Sequence, residues 1–132
     1  MIVLDSSVLS VVLRRHHPVS PLAERFVQLV QQDAPLSVPG AVLQEVLSGV
    51  RSEAQFTRLQ DALEKFSLLL PDKADHVQAA RISNTCRSRG IVTSNADCLI
   101  AAQTIRRRAE LWTLDTDFER IARCCDLRLF QP

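Results

Sequence analysis

The sequence predicts an α/β fold: a central parallel sheet flanked by helices on both faces. Three observations carry that prediction. Short apolar runs, "MIVLD", "LSVP", "SLLLP" and "LWTL", recur along the chain at the length of buried strands. Longer segments with helical periodicity separate them, as in βα units. Two of the runs end directly in acids, Asp5 and Asp115, and open parallel sheets form their sites outside the carboxyl ends of the strands.

The first strand is "MIVLD", with Ser6 or Ser7 as the expected cap of a helix carrying Val8, Leu9, Val12 and Leu13. "RRHHPV" at 14–19 breaks that helix. Ser20 and Pro21 open a second one, proline occupying the first turn where its missing N–H costs nothing, with Phe26, Leu29 and Val30 as the apolar stripe. "LSVP" at 36–39 reads as a short strand, and Pro39 as the opening of a third helix running through Val50. Residues 52–66 form an amphipathic helix on Phe56, Leu59, Leu63 and Phe66. The helix-rich stretch 36–66 suggests a helical hairpin beside the sheet.

"SLLLP" supplies another strand, after which Asp72 caps a long helix that stops at Gly90. A further helix starts near residue 95 and is followed by the "LWTL" strand, a short helix at "DFERIA" and a last strand at "LRLF".

At 132 residues, with no internal repeat or linker, the chain is read as one domain over 1–132. Such a chain buries roughly two-thirds of its unfolded surface and needs no staples. A formal net charge of +1 excludes a global field for nucleic acid or membrane, so any basic surface must be local. The four cysteines lack a CxxC or Cys/His zinc spacing, and Cys98 lies in an apolar helical run. They are read as reduced thiols in a cytoplasmic protein, with no targeting segment ahead of the first strand and no apolar stretch long enough for a membrane span.

The acids concentrate the chemistry. Asp97 stands in the first turn of a helix whose next residues, Cys98 to Ala102, are all apolar, so it lies near the core. The helix dipole alone explains an acid there, worth about 0.3–1 kcal/mol, and Asp117 can likewise cap "FERIA". Two strand ends and a buried helix start are nevertheless expected neighbours. Clustered carboxylates repel by about a few kcal/mol per pair at an effective dielectric of about 20, which calls for a cation among them. The all-oxygen set suits Mg²⁺ or Mn²⁺. Glu45 falls opposite the expected stripe of Leu43, Val46, Leu47 and Val50, so periodicity alone makes it a solvated residue, although Ala41 and Gly49 leave room for close approach.

Taken together, "MIVLDSSVLS", "VLQEVLSGV", "ADCLIAAQT" and "LWTLDTDFERIA" resemble, in order and spacing, a PIN domain of the VapC-type toxin nucleases, and the resemblance spans essentially the whole chain. It implies a catalytic acid set of Asp5, Glu45, Asp97 and Asp115 with Asp117 as an auxiliary acid, Asp5, Asp97 and Asp115 holding Mg²⁺ or Mn²⁺, and Ser7 supporting the site. It further implies metal-assisted hydrolysis of RNA phosphodiester bonds, a cognate antitoxin reaching the acidic groove, and a homodimer. A PIN nuclease of RNA maturation without an antitoxin stays open, as does a silent binding module, against which the retained acids argue. "RRHH" at 14–17 and the pair Arg87 and Arg89 are candidate cradles for RNA phosphates. "RRR" at 106–108 reads as a solvated helix end, His16 and His17 as a surface turn, and Trp112 as core.

Overall fold

The structure, a computed structural model, describes residues 1–13 and 20–132. The reading of "RRHHPV" therefore lies outside the described residues. Four strands, β1 (Ile2–Leu4), β2 (Leu36–Pro39), β3 (Ser67–Leu69) and β4 (Glu110–Trp112), form one parallel sheet in the order β3-β2-β1-β4. β1 is wholly buried in the middle, which is why Ile2, Val3 and Leu4 form an uninterrupted apolar run.

Seven helices occur among the described residues: α1 (Ser6–Val12), α2 (Pro21–Gln31), α3 (Gly40–Leu47), α4 (Glu53–Leu63), α5 (Lys73–Ser88), α6 (Asn95–Arg106) and α7 (Asp117–Ala122). Parallel crossovers are right-handed. The leftward steps β1→β2 and β2→β3 therefore put α1 to α4 on one face, and the long return from β3 to β4 puts α5 and α6 on the other. Trp112 is 1% exposed in the core, its ring centroid 5.2 Å from that of Phe130 and 6.3 Å from that of Phe26.

The helix starts follow local rules where a free side chain is available. Ser20 accepts from the Ala23 N–H at 3.1 Å with Pro21 in the first turn, and Asp72 and Asp75 form a reciprocal capping box. At the far end of α5, Gly90 adopts φ +74°; its N–H reaches Arg87 O and the Ile91 N–H reaches Cys86 O, a Schellman stop.

Four expectations are corrected. Neither Ser6 nor Ser7 caps α1; Asp5 takes the N-cap position without a capping bond, because the Ser7 hydroxyl is committed elsewhere. The third helix ends at Leu47 rather than Val50, although Pro39 does open it, closing β2 and standing at the N-cap of α3. "LRLF" is no strand. It meets the sheet through a single parallel bridge from Leu129 to Leu111, flanked by Leu111 N–H to Arg128 O and Phe130 N–H to Leu111 O. The arginines ending α6 are not simply solvated: Arg106 and Arg107 both bind the fully buried carboxylate of Asp75, at 2.8 Å and 3.1 Å.

Candidate functional site

Register creates the site. Leu4 pairs with Trp112, so the chain leaves β1 at Asp5 directly beside the exit of β4 at Thr113. The Asp5 N–H donates to Trp112 O at 3.1 Å, continuing the ladder by one step. Asp5 is only 4% exposed. Its Oδ2 accepts two hydroxyls, from Ser7 at 2.8 Å and from Thr113 at 2.7 Å. Those hydroxyls in turn accept backbone N–H groups of the following loop, Leu114 onto Ser7 at 2.9 Å and Asp115 onto Thr113 at 3.0 Å. Five residues thus lock two strand ends into one rigid corner. Among the described residues, both side-chain bonds to Asp5 converge on Oδ2.

Asp115 lies three residues beyond β4 and holds the start of α7, its Oδ1 accepting the Asp117 N–H at 2.9 Å. Asp117 is the first residue of α7 and bonds Arg120 one turn on. Asp97 arrives from the other side, in the first turn of α6, where the Ser94 side chain caps the helix by accepting the Asp97 N–H at 3.1 Å.

One carboxylate oxygen from each of Asp97, Asp115 and Asp117 lies within 4.8 Å of the others. Asp5 is not part of that tight trio. It stands close enough that its charge acts on Asp97, and so does the charge of Glu45 on α3. The Asp97 carboxyl is pushed above its ordinary range. Burial is the largest cause, opposed by the hydrogen bond with Ser94 and reinforced by the charges of Asp115, Asp5 and Glu45. All five acids singled out from the sequence therefore sit at the carboxyl edge of the sheet, three in mutual reach and two as electrostatic neighbours.

Glu45 is exposed, yet it does not lie opposite the buried side of α3. The fully buried anchor of that helix is Val42, with Leu43, Val46 and Leu47 only partly buried. At about 100° per residue, Glu45 lies about 60° round the helix from Val42, on the margin of the buried side.

Thr113 and Ser94 escaped the sequence reading. Ser94 was findable, since Ser-x-x-Asp ahead of an apolar run is a capping signature. Thr113 was not, because only the β1–β4 register puts it against Asp5.

The donor set of the trio is carboxylate oxygen alone, which matches hard divalent cations of the Mg²⁺ and Mn²⁺ kind. Arg120 is the one cation bonded to it among the described residues.

The chain was compared with known proteins. A family model described as "PIN domain" matches residues 2–123. Ribonuclease VapC11 of Mycobacterium tuberculosis is 32% identical over 130 residues, covering 97% of this chain and 96% of that protein. Among solved structures, VapBC2 from Rickettsia felis bound to a DNA fragment from their promoter superposes with a TM-score of 0.81 at 18% identity, over 98% of each chain. A toxin–antitoxin complex from Klebsiella pneumoniae gives a TM-score of 0.68 at 17% identity, covering 89% of this chain and 90% of its counterpart. At those identities the structures speak for the fold. No described helix is long and apolar enough to cross a membrane.

Proposed function

The chain belongs to the PIN-domain family and is of the VapC type, and from that premise we propose that it is a divalent-metal-dependent endoribonuclease, the toxin of a type II toxin–antitoxin pair. The observation that carries this reading is the convergence of Asp97, Asp115 and Asp117 within 4.8 Å, under the added charge of Asp5 and Glu45. A fold that crowds acids and, among the described residues, brings them a single arginine is organised for a cation from solution.

Asp97, Asp115 and Asp117 would hold Mg²⁺ or Mn²⁺, with Asp5 as a charged neighbour of Asp97. Such an ion, when bound, would lower the pKa of a water and offset charge on the attacked phosphate. The protein's own part is positional. Ser7 and Thr113 fix Asp5, the start of α7 fixes Asp115, and the buried α6 holds Asp97 in a partly dehydrated place where its charge counts for more. Residues 1–132 act as one nuclease domain in the cytoplasm, as a homodimer, restrained by a cognate antitoxin. The named ribonuclease relative and the toxin–antitoxin assembly of like fold support substrate and partner.

Purified protein incubated with total RNA should cleave it with Mg²⁺ or Mn²⁺ and not with EDTA. Asp97→Asn should fold and lose at least a hundredfold in rate, about 3 kcal/mol of transition-state stabilisation. Folded Asp97→Asn cutting at more than a tenth of the wild-type rate would remove Asp97 from the site. Expression alone should arrest growth and Asp5→Asn should relieve the arrest; normal growth with active nuclease in the cells would favour RNA maturation without an antitoxin.

A further inference from the structure

A cavity of about 550 Å³ opens beside the acid corner, between the start of α3, one face of α5 and the first turns of α6. Its apolar lining is small: Ala41, Ala79, Ala80 and Ala96, with Cys98 and Leu99. Its polar lining is His76, Ser83, Asn84 and Arg87 from α5, and Asn95 from α6. The four α5 residues fall at i, i+7, i+8 and i+11, a single helix face running about 16 Å along the axis. None of the lining residues is an acid.

The cavity shares two elements with the candidate site. On α6, Ala96 lines it and Asp97 follows at once; on α3, Ala41 lines it and Glu45 stands one turn further. Arg87 also borders a second, smaller cavity of about 250 Å³ with Gly90, Ile91, Val92 and Thr93, just ahead of the Ser94 cap. Its exposed guanidinium makes no ion pair with a described acid. An acidic site repels the phosphates it must receive, so a strand approaching it needs a cation on its path.

We propose that this groove binds the nucleotides flanking the scissile phosphate of single-stranded RNA. Arg87 takes a backbone phosphate, and Ser83, Asn84 and Asn95 meet base edges and sugar hydroxyls over the alanine lining. The inference rests on the ribonuclease reading and adds a subsite to it. The chemistry favours nucleic acid over a protein helix. Shallow alanines admit a flat base but offer no deep socket for a large apolar anchor, and hydroxyl, amide and guanidinium donors are the groups that contact phosphate, sugar and base.

The test is binding of a fluorescent eight-residue single-stranded RNA in EDTA, where no cleavage occurs, by wild type and three variants with exposed substitution sites. Arg87→Glu removes the phosphate contact, Ala80→Phe fills the groove without changing charge, and Arg81→Glu, outside the lining, controls for net charge. Arg87→Glu and Ala80→Phe should each weaken binding at least tenfold, and Arg81→Glu by less than threefold. For Arg87→Glu the slope of log affinity against log salt should fall by about one. With metal, Arg87→Glu should raise KM and leave kcat within about threefold, the mark of lost uniform binding. Binding by Arg87→Glu equal to that of Arg81→Glu, or by Ala80→Phe equal to wild type, overturns the subsite while wild-type cleavage leaves the nuclease reading standing. A wild type that neither binds nor cuts RNA overturns both.

Discussion

The molecule holds two clusters of acids, and they are built on opposite principles. In one, Asp75 is fully buried and receives Arg106 at 2.8 Å, Arg107 at 3.1 Å and the backbone N–H of Asp72 at 3.0 Å. Burial alone would raise its pKa. The hydrogen bonds from Arg107, Asp72 and Arg106 outweigh that effect and hold the carboxyl well below the usual range. In the other, Asp97 has acids for neighbours and its carboxyl is pushed upward. An acid supplied with cations by the fold ties α5 to α6. The acids around Asp97 are short of cations among the described residues, and in the proposed function they take one from solution.

The largest effect expected from this comparison is on stability. Removing the buried acid leaves Arg107 and the Asp72 N–H without their acceptor and Arg106 with Asp72 alone, so Asp75→Ala should cost about 3 kcal/mol, the low end for a broken buried pair, and lower the melting temperature by about 10 °C. Cleavage measured well below that temperature should stay within a few-fold of wild type. A melting temperature within about 2 °C of wild type would mean that the pair contributes little, as an exposed one does.

A smaller effect, of opposite sign in the two clusters, appears with pH in the presence of EDTA. The folded pKa of Asp75 is depressed, so its contribution is present above the ordinary carboxylate value of about 4 and is lost as pH falls toward the depressed value. The folded pKa of Asp97 is raised, so its contribution is present below about pH 4 and lost as pH rises through the raised value. The stability deficit of Asp75→Asn should therefore shrink on acidification from about pH 7 to about pH 3, while any advantage of Asp97→Asn over wild type should grow between about pH 4 and about pH 7. Melts across that range check both, and pH curves of the same sign for the two variants would break the comparison.

How much of this was legible beforehand follows the range of the forces. Ser20 and Pro21, the Asp72 cap and the Gly90 stop were readable because each is decided within one helical turn. Ile2 to Leu4 were readable because a strand buried on both faces tends to an unbroken apolar run, and Leu36 to Pro39 because only Ser37 interrupts theirs. "LRLF" misled because its apolar residues pack beneath the sheet's edge without extending the ladder past one bridge. Arg106 and Arg107 misled because their partner, Asp75, lies 31 and 32 residues away, beyond any local pattern. In the site, Asp5 and Asp115 were visible as acids ending apolar runs, and Asp97 as an acid ahead of one. Glu45 drew its significance from the family resemblance alone, since the stripe assigned to α3 omitted Val42. The brace from Thr113 to Asp5 is a product of strand register, which no residue pattern announces.

The central claim, that the carboxyl edge of the sheet holds one cation site made of mutually repelling acids, is tested most directly by melting wild type and Asp97→Asn in EDTA and again in millimolar Mg²⁺ or Mn²⁺. In EDTA the near-isosteric asparagine removes a charge held among like charges, so the variant should melt at the same temperature as wild type or higher. Metal should raise the wild-type melting temperature by several degrees through binding to the native state and move the variant much less. A wild type indifferent to metal, beside a variant less stable in EDTA, would reduce Asp97 to an ordinary helix-start acid and contradict the account.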